Sequence, residues 1–367
     1  MTELKEAFDE LGAFISNYEP IALLSQLTAT FLFFPEDEFQ GEASDIVKWQ
    51  RRIELLAGYF VVRPYPLGRT SAVDGEALGR VEKLVDQYLA AAAQGIMAEG
   101  SKAGKKNDEY ELLAQAKIES LYVRGDAYPH QFYVFAQELY APHDAWFREH
   151  YGFSIADGVN LAQAIFRMYR DRFTYSLQSA RERAREFVDN MVARGEVAGK
   201  ERKDAETQVW CALHCGRFEE MFGFTAEDLS QFSNFQIETC RSFLARMSQQ
   251  FGYRNPKFPA SFTDPATAPW DYNTLHERPI VERAGKHWLF VPPLLPVAIF
   301  TTFYFDLMQD CGYRSTFEKA RGKFVEYKTA EYLRRVFPAW AVVLNPTTPK
   351  GEELTDERAA SCATTRE

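Results

Sequence analysis

Apolar residues recur over the first two thirds of the chain at intervals of three and four, the period that gathers them on one face of an α-helix. Leu4, Phe8, Leu11, Phe14 and Ile15 make one such stripe. Ile46, Trp49, Ile53 and Leu56 make a second between Asp45 and Phe60, and Leu78, Val81, Val85 and Leu89 a third within Asp74–Ala92. The texture returns over Glu109–Val123 and His130–Tyr140, with Ala127-Tyr128-Pro129 as the break between them. Ser179 to Trp210 predicts two charged helices, because Gly195 and Gly199 interrupt it. Glu182 and Glu186 there lie within reach of arginines three or four positions away, which supports an exposed helix. Thr225, with Asp228 three residues on, reads as the N-cap of a helix running through Phe232.

The pattern changes near Tyr253. Pro256, Pro259, Pro265 and Pro269, with Asp264 and Asn273, crowd a stretch of weak periodicity, which reads as a linker. Two short apolar runs follow, Arg278–Val281 and His287–Val291, around Ala284-Gly285-Lys286, and predict a β-hairpin. Trp288 to Phe305 carries no charge over 18 residues, close to the minimum for a membrane span. Pro292, Pro293 and Pro296 fall inside it, so it reads instead as a short strand, Trp288–Val291, and a proline-started buried helix ending near Met308. The expected fold class is mainly α with a small α+β C-terminal module. The expected organisation is an α-helical region over 1–255, a linker with a short hairpin over 256–300, and a partial α/β module over 301–367.

Composition narrows the function classes. Aromatics are 15% of the residues, with 30 Phe and 18 Tyr, so the core is expected to be built from flat side chains. The net charge of −10 argues against a chain whose whole surface grips nucleic acid, although a local basic patch is compatible with it. Five irregularly spaced cysteines make no disulfide framework, and Met1 to Glu6 lacks the start of a signal peptide. A cytoplasmic protein with no membrane segment is the expectation.

Candidate chemistry is sparse. Cys211, His214 and Cys215 could share a helix face, but Cys240 stands alone, so a buried helical face is preferred over a zinc site. The six histidines form no His-Glu-x-x-His motif, and neither a Gly-x-Ser-x-Gly elbow nor a Walker loop is present. His143 with Asp144, and Asp271 with His276, can be drawn as acid/base pairs, though proximity in sequence does not assign them. Lys102, Lys105 and Lys106 read as a solvated loop.

The last segment is more specific. Phe317 to Phe337 predicts one amphipathic helix with Phe317, Phe324, Val325, Leu333, Val336 and Phe337 on its buried face. Pro338 ends it, Trp340–Leu344 reads as a buried strand, Asn345-Pro346 through Lys350-Gly351 as a turn, and Glu353-Leu354-Thr355-Asp356 follows. This order resembles the restriction-endonuclease-like (PD-(D/E)xK) superfamily, including its nuclease-related branch. The resemblance implies metal-dependent phosphodiester hydrolysis of nucleic acid. It implies that Glu326, facing inward, and Asp356 are catalytic residues and hold Mg²⁺ through hard oxygen ligands. The helix cations Lys319, Arg321, Lys323 and Lys328 are then the candidates for phosphate contact.

The sequence departs from that family after Asp356. Residues 357–367, Glu-Arg-Ala-Ala-Ser-Cys-Ala-Thr-Thr-Arg-Glu, contain no apolar strand and no acid-x-Lys. The expectation is a truncated or frameshifted nuclease-like protein, inactive as a nuclease and without a cofactor as it stands. The competing reading is a non-enzymatic helical protein-interaction or regulatory protein, and a helical enzyme with an unrecognised site between residues 100 and 250 stays open. Partners are accordingly nucleic acid or another protein.

Overall fold

The computed structural model describes residues 2–32, 43–66, 73–103, 112, 114–117, 129–214 and 218–337. The amphipathic stripes near the N-terminus become α1 (Thr2–Ile15), α2 (Pro20–Leu32), α3 (Ala43–Val61) and α4 (Gly75–Ala103). After these come α5 (Pro129–Tyr140), α6 (Asp144–Tyr151) and α7 (Ile155–Ala193). At 39 residues, α7 is about 58 Å long at 1.5 Å per residue. A capping box starts it: Ser154 Oγ accepts from the Asp157 amide at 3.1 Å, and Asp157 accepts from the Ser154 amide at 2.9 Å. Its first half buries Ile155, Leu161, Ile165 and Phe173, whereas its second half buries only Ala180, Ala184 and Val188. Against that second half lies α8 (Arg202–His214), so Gly195 and Gly199 do fall between two antiparallel helices.

Shorter helices follow: α9 (Phe218–Phe222), α10 (Ala226–Ser233) and α11 (Ile237–Met247). The cap read at Thr225 is present, with its hydroxyl accepting from the Asp228 amide at 3.1 Å and Asp228 accepting in return at 3.0 Å. Three strands form one mixed sheet in the order β1 (Ser248–Gln250), β2 (Ile280–Arg283), β3 (Lys286–Trp288). β1 pairs parallel to β2 with Ser248 opposite Ile280, and β2 pairs antiparallel to β3 with Glu282 opposite His287. The hairpin turn has Ala284 at φ 52° and Gly285 at φ 77°, the two left-handed residues that a tight hairpin twisted like its strands demands.

Residues 256–276, proline-rich and read as a linker, form a strap packed on α3 and α4. Phe262, Ala268 and Leu275 are buried. Arg63 donates to Phe262 O at 2.9 Å, Asn273 to Glu54 O at 3.0 Å, and the Tyr88 hydroxyl to Pro265 O at 2.7 Å. The bonds to Phe262 O and Pro265 O satisfy carbonyls that an irregular backbone would otherwise leave without partners, and the Asn273 amide ties the strap to α3.

The chain then enters α12 (Leu294–Gln309), capped by Pro293, and α13 (Arg314–Val336). α12 packs on α5, α7 and α13, and one contiguous apolar cluster runs from Leu4 to Phe317. Tyr140, Phe147, Phe153, Phe303 and Phe317 are fully buried and form its aromatic centre, as the composition foretold. The uncharged stretch from Trp288 is therefore the end of β3 and a buried helix. Among the described residues no helix is long and apolar enough to cross a membrane.

Candidate functional site

α13 carries the described residues that the family resemblance singles out. It is anchored near its start by Phe317, whose ring stacks on Tyr140 at 6.1 Å and meets His143 at 5.3 Å and Tyr304 at 5.6 Å. Farther along, Lys328 Nζ lies 2.8 Å from both Glu138 on α5 and Glu331 on its own helix. Those hydrogen bonds raise the ammonium's pKa above the usual lysine range. Arg321 donates to the Tyr304 hydroxyl at 3.2 Å, with its guanidinium over that ring. Arg321 and Lys328 thus hold the helix to the body.

Lys319 and Lys323 differ: both are exposed, one turn apart, and make no hydrogen bond or ion pair among the described residues. Glu326 is also exposed, three positions beyond Lys323, and the strand and turn it was expected to face lie outside the described residues. The buried face read from sequence is also narrower than expected. Phe317 and Ala330 are buried and Phe324 partly so, whereas Val325, Leu333, Val336 and Phe337 are exposed. The physical reason is that among the described elements the main contacts of α13 are with α5 and α12. The strand read at Trp340–Leu344, the ligand Asp356 and the tail 357–367 lie outside the described residues.

The donor set for a divalent ion can be tested against this geometry. Among the described residues no three His, Cys, Asp or Glu side chains gather as a metal group, and Glu326 contributes one carboxylate on an open surface. A hard dication takes several oxygen ligands. The described residues alone therefore do not make up such a donor set. Cys211 and His214 stand near the end of α8, with side chains outside the described set, as is Cys215.

Neither acid/base pair drawn from sequence forms. His143 Nδ1 meets the Tyr313 hydroxyl at 2.9 Å, while Asp144 accepts from the Ile155 amide at 2.9 Å. His276 Nε2 meets Glu54 Oε1 at 2.6 Å, while Asp271 accepts from the Phe262 amide at 2.6 Å. Glu54 is buried beside Arg51, whose guanidinium also donates to Pro269 O, so this trio pins the strap to α3. A buried carboxylate needs such partners to stay charged.

A polar concavity that the sequence did not announce opens where α11 runs into β1. It encloses about 530 Å³ and is lined by Ser248, Gln249, Tyr253, Arg278, Glu282 and His287 among others. Ser248 Oγ lies 3.1 Å from His287 Nδ1, across the sheet. Burial lowers the His287 pKa, so the imidazole is neutral at pH 7. Arg278 lies over the Tyr253 ring at 5.3 Å. Its residues come from positions 39 apart in sequence, and β1 is three polar residues without alternation, so no local pattern could have found it.

The fold and these surfaces define a mainly α-helical chain with a small mixed sheet and a basic helix exposed along much of its length. No family model, curated protein or solved structure matches it.

Proposed function

We propose that the chain is a nuclease-like, nucleic-acid-handling protein whose described body binds phosphate backbone through α13 without cleaving it. The observation that carries this reading is the pair Lys319 and Lys323, exposed and unpaired among the described residues on the same helix that presents Glu326. Unpaired ammonium groups release counterions when they meet phosphates, so such contacts strengthen as salt falls. Catalysis is not part of the reading, since among the described residues no three His, Cys, Asp or Glu side chains gather around Glu326, which stands on an open surface.

Fluorescence anisotropy with labelled 20-mers of single- and double-stranded DNA and RNA tests it between about 50 and 200 mM salt. The expected result is weak, salt-sensitive binding. The double substitution Lys319→Ala/Lys323→Ala should weaken it and reduce the slope of log K against log salt by about 1.8 on duplex DNA, roughly 0.9 per lost contact. Binding that the double variant leaves untouched would overturn the role of α13. Mg²⁺-dependent cleavage abolished by Asp356→Ala would overturn the absence of catalysis.

A second reading, a protein-interaction surface, is favoured by one feature of the same helix. Tyr327 is 68% and Val336 78% exposed, with Val325 and Phe337 about half exposed beside them. Val325 and Val336, eleven positions apart, fall on one side of the helix, where a partner could cover them. No nucleic-acid binding at the lowest salt would leave that reading in place of the first.

A further inference from the structure

We propose that the concavity at the α11–β1 junction is a binding site for a small carboxylic acid that also carries a hydrogen-bond donor, the chemistry of an amino acid or hydroxy acid. Its volume of about 530 Å³ leaves ample room for such a ligand and falls in the range of about 300–1,000 Å³ of small-molecule sites. The anion would meet Arg278. That guanidinium is oriented by the Tyr253 ring and by a long contact from Nη1 to Ser248 O at 3.5 Å, and its Nη2 has no partner among the described residues. A planar carboxylate matches the guanidinium fork.

The other groups ask for a donor. Gln249 is only 4% exposed; its Nε2 donates to Arg278 O at 2.5 Å, and its Oε1 has no hydrogen-bond partner in the described structure. That oxygen has essentially no accessible surface, so the groups a ligand meets are those that follow. Glu282 lines the same cavity, with its oxygens receiving Gln250 Nε2 at 2.7 Å and the Gly285 amide at 2.9 Å. Ser248 and His287 add a neutral hydroxyl–imidazole pair able to donate or accept.

Charge separates this ligand from a phosphate. Arg278 Nε already faces Glu277 Oε1 at 3.6 Å, and Glu282 is a second carboxylate in the lining. One guanidinium against two carboxylates leaves no excess positive charge for a bare anion such as phosphate. A zwitterionic amino acid, whose carboxylate meets Arg278 and whose ammonium meets Glu282, is matched at both ends, and a hydroxy acid binds more weakly.

The test is isothermal titration of the full chain with each L-amino acid, lactate and inorganic phosphate in turn. At least one of the organic acids should bind with a Kd of about 1 mM or tighter, and phosphate should not. Arg278→Gln should weaken that binding at least about tenfold, the scale of one charge-assisted hydrogen bond, with the melting temperature checked in parallel. Should Arg278→Gln not fold, Glu282→Gln serves instead, because its amide oxygen can still receive the Gly285 N–H. It should weaken amine-bearing acids severalfold while sparing hydroxy acids. The proposal is overturned if no organic acid binds below 10 mM, if phosphate binds as well as they do, or if a folded variant binds unchanged.

Discussion

α12 and α13 are consecutive, joined by four residues, and have opposite fates. α12 buries Leu294, Leu295, Ala298, Ile299, Phe303 and Leu307 among three neighbouring helices. α13 is longer, yet only Phe317 and Ala330 are buried along its 23 residues. Both contain enough large apolar side chains to line a core. The difference lies in neighbours: α12 crosses the centre of the body, whereas the main described contacts of α13 are with α5 and α12. An apolar stripe states that a helix has a face to bury, and the rest of the fold decides whether something meets it.

Truncating one residue in each helix should expose that difference most strongly. Phe303 is fully buried and its ring packs against Tyr140, Phe147, Tyr151 and Phe153. Phe303→Ala is expected to cost about 3–5 kcal/mol, the lost burial plus the cavity left behind. Val336, largely exposed, should tolerate alanine within about 0.5 kcal/mol. Urea unfolding followed by circular dichroism measures both. A cost above roughly 2 kcal/mol for Val336→Ala would show that the end of α13 lies in a packed interface, and the contrast between the helices would collapse.

The same contrast explains what was legible in the sequence. Signals carried within a few residues were read correctly: the Thr225–Asp228 cap, the proline start of α12, the Ala284-Gly285 turn. Each rests on local hydrogen bonding or backbone freedom, which the chain displays where it acts. Features made by distant partners were not. β1 is Ser-Gln-Gln and pairs with β2 some thirty positions on, so nothing in its own composition marks a strand. The packed strap over 256–276 was hidden by its prolines, because irregular backbone and solvent-exposed loop share the same residues. Glu326 is singled out by the resemblance alone, and no local pattern marks the cavity at β1.

A smaller effect concerns the hinge between the two helices. His143 is 2% exposed, and its ring contacts Tyr313 and the anchor Phe317 at the start of α13. Nδ1 is bonded to the Tyr313 hydroxyl, and Nε2 has no partner among the described residues. Burial lowers its pKa below the ordinary histidine value, so the folded state favours the neutral ring. The unfolded chain therefore binds more protons just below the ordinary pKa, and stability rises with pH there. The full contribution is present above about pH 6.5 and is lost as pH falls toward the lowered value, at up to about 1.4 kcal/mol per pH unit. Histidine 287, also lowered by burial, adds a slope of the same sign from the sheet. In His143→Phe the ring contact with Phe317 is kept and the titration removed, so the unfolding free energy should depend less on pH between 5 and 6.5. An unchanged slope would place the acid sensitivity elsewhere than at the seat of α13.

The smallest expected change lies in the hairpin that delivers the chain to α12. Ala284 holds φ at 52°, a conformation in which its Cβ crowds the backbone, while Gly285 beside it meets no such conflict. Asparagine tolerates the left-handed region better, and Asn-Gly is the pair this turn geometry favours. Ala284→Asn is therefore expected to stabilise the protein by about 0.5 kcal/mol, at the lower end of gains from relieving turn conformations. The Ser248–His287 distance should be unaffected, because the turn lies beyond the last paired residues, Arg283 and Lys286. Equilibrium unfolding with matched m-values would read the gain. A loss of stability would mean that the Ala284 side chain makes a contact worth more than the backbone relief. In that case the register holding His287 opposite Glu282 is set by that contact rather than by the turn.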